Sequence, residues 1–157
     1  ALVALRHGRP EDGGEMLFDD RLLAVATPGL SSKLGRDARR WPAARMLSHV
    51  TGDAPLWLNA AGTATAPAGP AFNDAGLTLD AAQAGLGVAV TRLSLALPRL
   101  RAGTLVQAHP LLLPSPRANL LVIREDAAAL PVVKRFAAWA REEAAQTAAD
   151  LKAWAPA

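Results

Sequence analysis

The sequence predicts an α/β fold on a mainly parallel sheet, in two lobes between which the chain passes twice. Three observations predict it. Residues 70–92 read as strand, helix, glycine, strand. Short apolar runs alternate with helical stretches along the rest of the chain, the pattern of a sheet covered by helices. Two polar breaks, after Asp20 and around Arg117, divide the chain into a middle portion and two ends that must come together.

The 70–92 stretch organises the reading. Asn73 and Asp74 suit the start of a helix, because a side-chain oxygen accepts from the orphan N–H groups of a first turn. Leu77, Ala81 and Ala84 recur at helical spacing and predict the buried stripe. Gly85 supplies the left-handed stop, and Gly87 precedes the next strand. Val88-Ala89-Val90 is apolar throughout, as expected of a strand covered on both faces. Strand, helix and strand make a right-handed βαβ unit. In such sheets ligands bind outside the carboxyl ends of the strands, here Phe72-Asn73-Asp74 and Thr91-Arg92.

The other elements follow in order. Residues 1–5 read as a strand ending at Arg6-His7-Gly8. Residues 11–14 form a polar turn. Met16-Leu17-Phe18 and residues 22–26 read as one long extended segment, broken by Asp19-Asp20-Arg21. Thr27-Pro28 opens a helix, with proline at the first position where its missing N–H costs nothing. Residues 30–40 make a poor helix interrupted by Gly35, and Met46-Leu47-Ser48 a short strand. Residues 56–61 are a helical turn or two, and 63–69 a loop of alanine, threonine, proline and glycine. Residues 94–101 read as a short helix, 104–107 as a strand and 119–123 as another. Between them, residues 109–116 read as an extended linker, since each proline biases its predecessor away from helix. Pro131 starts the longest helix, with Val132, Val133, Phe136, Ala137 and Ala140 as its buried face.

Composition narrows the function. The 157 residues fit one domain or two small lobes, and 51% hydrophobic content suffices for a core. With no cysteine, disulfides and thiolate metal sites are excluded. A net charge of +3 is too small a surplus to indicate a nucleic-acid surface, and the basic residues are scattered apart from Arg36, Arg39, Arg40 and Arg45. No apolar run reaches the length of a membrane span, and no signal-peptide pattern opens the chain. The chain starts at Ala1 directly in a strand, as expected of a fragment.

Four segments in order resemble the effector-binding domain of LysR-type transcriptional regulators. They are Asp20-Arg21-Leu22-Leu23-Ala24-Val25-Ala26-Thr27-Pro28, Gly69-Pro70-Ala71-Phe72-Asn73-Asp74, the run from Ala81 to Val90, and Leu100-Arg101-Ala102-Gly103-Thr104-Leu105-Val106. Val132-Val133-Lys134-Arg135-Phe136-Ala137-Ala138-Trp139 resembles that family's last helix. Gly-Pro-x-Phe-Asn-Asp looks most like the branch of the glycine-cleavage and β-lactamase activators. The resemblance implies a type II periplasmic-binding-protein-like fold, with two Rossmann-like lobes, two crossover strands and an effector site between the lobes. It implies that residues 16–120 form the second lobe, 1–15 and 121–145 an incomplete first lobe, and 146–157 a C-terminal tail. The start of the first lobe and the winged helix-turn-helix are expected to be absent. A cytoplasmic homodimer that meets DNA only through that missing domain is also implied.

The candidate effector contacts are Thr27, Asn73, Asp74, Thr91, Arg92, Arg6 and His7. An arginine at a strand tip can hold a carboxylate by two parallel hydrogen bonds, which points to an anionic effector. Each has a plain alternative: Thr27, Asn73 and Asp74 as helix caps, Arg92 as a surface arginine, His7 as a satisfied or surface histidine. Catalysis is poorly supported. Gly85-Leu86-Gly87 lacks the third glycine of a dinucleotide fingerprint, and no Gly-x-Ser-x-Gly elbow exists. His49 and His109 have no ligand-spaced partners, so neither metal nor cofactor is expected. A small-molecule sensor is the first expectation, and a solute-binding protein of transport the alternative.

Overall fold

The strand–helix–strand pattern of residues 70–92 folds as predicted, with another strand inserted between its two. A computed structural model of the chain describes residues 1–49, 52–63 and 66–154. The strands are β1 (Val3–Gly8), β2 (Glu15–Ala26), β3 (Met46–His49), β4 (Ala71–Phe72), β5 (Val88–Arg92), β6 (Val106–Gln107) and β7 (Leu113–Ile123). The helices are α1 (Pro28–Leu34), α2 (Ala54–Ala60), α3 (Ala75–Gln83), α4 (Leu93–Arg101) and α5 (Pro131–Ala153). Residues 1–20 with 114–154 form one compact unit and Arg21–Leu113 a second. The chain changes unit within β2, after Asp20, and again at the start of β7.

In the second unit β3 pairs in parallel with β4 (His49↔Phe72) and with β5 (Leu47↔Ala89). β4 and β5 are therefore parallel, as a right-handed crossover requires, with β3 between them. β2 runs antiparallel to β5, with Leu22 opposite Arg92 and Val25 opposite Ala89. β6 runs antiparallel to β2. The expected mainly parallel sheet is thus corrected to a mixed one. Antiparallel neighbours need no crossover helix, so the alternation of strands and helices in the sequence gave no sign of them.

Alternation along β2 and β5 puts Leu22, Ala24, Ala26, Val88 and Val90 into one cluster with Trp41 and Trp57. The two indoles stack with centroids 6.3 Å apart and planes 10° apart. Their ring nitrogens donate to the carbonyls of Gly35 (2.9 Å) and Leu111 (3.3 Å), so both tryptophans are buried with their polar atoms satisfied. Gly87 is fixed by a close approach: a Cβ there would run into the Arg45 carbonyl and the Leu47 side chain. Asp74 caps α3, its carboxylate accepting from the Leu77 N–H at 2.9 Å. The buried stripe of α3 is Thr78, Leu79, Ala81 and Ala82, while Leu77 is 51% exposed. The expected stripe through Leu77 and Ala84 is wrong because apolar residues surround much of this helix, and periodicity alone left its rotation open.

In the first unit β1 and β7 pair antiparallel from Val3↔Ile123 to Gly8↔Ala118. α5 covers this ladder with Val133, Ala137, Ala140, Ala144 and Leu151. Leu121, Ala137 and Ala140 form a core against which Val3, Leu17, Ile123 and Phe136 pack. Val132, expected in that face, is 60% exposed, since Val133 takes the position in register with Ala137 and Ala140. Arg141 holds Glu15 by paired hydrogen bonds of 2.8 and 2.7 Å, which keeps the Glu15 carboxyl below its usual range. β7 begins at Leu113 and runs through Pro114 and Pro116, so half of the expected linker is strand. The last helix continues through Ala153. Residues 155–157, and residues 64–65 of the expected loop, lie outside the described residues.

Candidate functional site at the strand ends

The parallel strands of the second unit share one carboxyl edge. Extending the β3 register puts Thr91, His49 and Phe72 abreast, with Arg92 and Asn73 the next residues on their strands. Arg92 shares its sheet face with Val88 and Val90, above the tryptophan cluster, and is half-buried. Thr91 points to the opposite face and is only 8% exposed. Thr91 and Arg92 therefore do not present their side chains together, as their adjacency on a strand dictates. Asn73 is exposed, and the neighbouring Asp74 carboxylate is engaged in its cap.

Thr27 stands apart from these residues. It ends β2, which runs opposite to β5, so it lies beyond the amino end of β5. Five residues of strand separate its level from that of Arg92, roughly 17 Å at the usual rise. Its hydroxyl accepts from the Leu30 N–H at 3.3 Å as the cap of α1. The plain reading of Thr27 as a cap accounts for it.

At the β1 tip of the first unit, Arg6 donates to the Asp12 carbonyl at 3.1 Å and lies 3.7 Å from its carboxylate. This clasps the turn after β1. His7 is half-buried, faces the other side of the strand, and stands directly opposite Asn119 of β7. The side-chain nitrogen of Asn119 is buried with no hydrogen-bond acceptor among the described residues. Sequence reasoning treated Asn119 only as part of an apolar strand, and weighed His49 only as a metal ligand. A residue's place at a strand end, which register alone reveals, is the signal that singles them out.

His109 belongs to the core of the second unit rather than to this edge. Its ring sits edge-on to Trp57 at 5.2 Å and to Trp41 at 6.0 Å. Nδ1 accepts from the Leu111 N–H at 3.1 Å, which favours the neutral ring. Burial lowers its pKa, with Asp37 opposing and Arg36 reinforcing. No group of three potential metal ligands occurs among the described residues.

In α/β units, ligands bind outside the carboxyl ends of the strands, where these polar residues stand. The family model described as the LysR substrate binding domain matches residues 3–145, and the chain belongs to that family. It is thus an effector-sensing regulatory domain of the LysR type, with the type II periplasmic-binding-protein-like fold. No curated protein matches the chain. Among solved structures, it is similar to the effector domain of the transcriptional regulator AmpR of Pseudomonas aeruginosa. That match has 22% identity and a TM-score of 0.81, covering 98% of this chain and 76% of the other. The AmpR effector binding domain of Citrobacter freundii matches at 21% identity and a TM-score of 0.75, over 92% and 75% of the two chains. The regulatory domain of CrgA, a LysR-type regulator from Neisseria meningitidis, matches at 21% and 0.65, over 90% and 74%. No described helix is long and apolar enough to cross a membrane.

Proposed function

We propose that the chain senses a small anionic effector through the carboxyl edge of its second unit. Arg92 supplies the charge, Asn73 a neutral amide two strands away across β3, and Asp74 orients Asn73 through its cap. His49 lines the same edge. Arg6 and His7 are the polar tip of the first unit. Thr91 acts from below by packing, and Thr27 is left out as a cap. The observation that carries this reading is the register, which makes Arg92 and Asn73 the next residues beyond three strand ends standing abreast. A guanidinium there can meet a carboxylate with two parallel hydrogen bonds. The effector acts by its difference in affinity between two conformations, since equal affinity would shift nothing.

In the same proposal the domain performs no catalytic step and works in the cytoplasm as part of a homodimeric regulator. DNA is met through a domain outside this sequence. The regulatory family favours this over a transport role for the same fold. The test is a thermal-shift series with glutamate, succinate and dialanine. Saturation at about 100 times Kd stabilises by about 2.7 kcal/mol, a rise of several degrees. The expected result is a rise with at least one anion that Arg92→Ala cuts by half or more and Arg92→Lys keeps better. Absence of any rise with the unaltered chain contradicts the reading.

A further inference from the structure

We propose that the segment joining α1 to β3 is a surface of the second unit for the phosphate backbone of duplex DNA, bound without regard to base sequence. This goes beyond the reading above, in which DNA is met through a domain outside this sequence, by adding a second, weaker contact. The net charge of +3 hides a division between the units. The first carries eight basic and ten acidic residues, the second nine basic and four acidic. Within the second, Lys33, Arg36, Arg39, Arg40 and Arg45 fall in thirteen residues that hold one acid, Asp37. Positive charge concentrated on one segment attracts a polyanion even when the whole chain is nearly neutral.

The fold orders this segment and turns its charges outward. Trp41 Nε1 donates to the Gly35 carbonyl at 2.9 Å, which closes the 35–41 loop. Trp41 stacks on Trp57 and, like Ala38, is buried. Arg36, Arg39 and Arg40 are exposed, as is Lys33 in the last turn of α1. Asp37 accepts from Arg39 Nε at 2.9 Å and from a terminal nitrogen of the same guanidinium at 3.0 Å, so the one carboxylate of the loop is occupied. Lys33, Arg36 and Arg40 make no ion pair among the described residues. A loop already pinned by its tryptophan loses little further freedom on binding.

Two observations favour DNA and set this surface apart from the effector edge. Protein interfaces are centred on apolar and aromatic anchors, yet no large hydrophobic side chain is exposed among the described residues of 17–55. Phosphate oxygens need only the guanidinium and ammonium donors present here, and contacts to them carry no base sequence. The segment also enters β3 at its amino end, the opposite end of that strand from His49.

The experiment titrates the full chain, labelled with nitrogen-15, with a duplex of about 15 base pairs at roughly 20 mM salt. Amide signals of residues 33–45 are expected to move, and those of His49, Asn73 and Arg92 to stay. With about three phosphates contacted, log Kd should rise with log salt at a slope of about 3, and an unrelated duplex sequence should give the same Kd within about twofold. Arg36→Gln and Arg40→Gln should each weaken binding at least about threefold and lower the slope by about 1, while Arg135→Gln on α5 should do neither. The thermal response to anions should be the same in all three variants. Unmoved loop signals, movement at the carboxyl edge instead, or a slope below about 1 overturns the proposal. So does equal movement of the loop signals with oligoglutamate of the same charge, which would make the partner an acidic protein segment. Should either glutamine variant fail to fold, the salt slope of the unaltered chain decides. Loss of the anion response alone would remove the sensing reading and leave this proposal standing.

Discussion

The β5–β2 ladder of the second unit and the β1–β7 ladder of the first are built alike and finish differently. Each sets a short strand with a polar carboxyl end against a long strand running the other way. In the second unit the long strand presents Leu22 and Leu23 to Arg92 and Thr91, so polarity belongs to the short strand alone. In the first it presents Leu120 and Asn119 to Arg6 and His7, so both strands contribute polar groups. Their cores differ as well. Two stacked indoles and a histidine ring fill the second, while a helix with a mostly alanine face covers the first. The ladder geometry is generic. What differs is which strand carries polarity at the tip and what fills the core.

The largest expected effect tests the difference between the cores. Trp57→Ala removes a fully buried indole, and such truncations cost about 3–5 kcal/mol. Urea unfolding should show that loss. Hydrogen exchange should show it in β3 and β5, with the amides of β7 and α5 keeping their protection. Equal loss in both units would break the comparison.

The next two variants sharpen the assignment of the tips. Arg92→Ala should weaken the anion response at least tenfold, about 1.4 kcal/mol. Thr27→Ala should leave that response unchanged and cost about 1 kcal/mol, the usual worth of a cap. A weakened response in Thr27→Ala would return that residue to the site.

A pH-dependent effect comes from His109, whose native pKa is lowered, chiefly by burial. As pH falls, the unfolded chain takes up the proton first. Stability is therefore full above the ordinary value of 6.5 and declines as the pH drops below it, until the native ring is protonated too. Urea midpoints at about pH 7.5 and about pH 5.5 should differ in that direction, and His109→Gln should shrink the difference. The smallest effect is at Val132, where lysine should change stability by less than about 0.5 kcal/mol because the side chain is exposed.

Local features were legible in the sequence because local chemistry determines them. The Asp74 and Thr27 caps, the left-handed turn at Gly85, the proline-led α5 and the strand of residues 88–90 were all readable from neighbours within a few positions. Strand order was not. Nothing in residues 46–49 says that they lie between β4 and β5. The direction of β2 was equally hidden, and with it the end of the sheet at which Thr27 falls, since a cap looks the same at either end. The rotation of α3 and the exposure of Val132 were undetermined where apolar residues outnumber the buried positions. Asn119 sat unnoticed among aliphatic residues, because a buried amide without an acceptor is visible only once its neighbours are known.

The most direct test is a nitrogen-15 titration of the full chain with the anion that gives the greatest thermal response. Backbone signals of His49, Phe72, Asn73 and Arg92 are predicted to move together and to saturate at one Kd. Movement confined to Thr27 and the first turn of α1, with those four signals unchanged, would contradict the account.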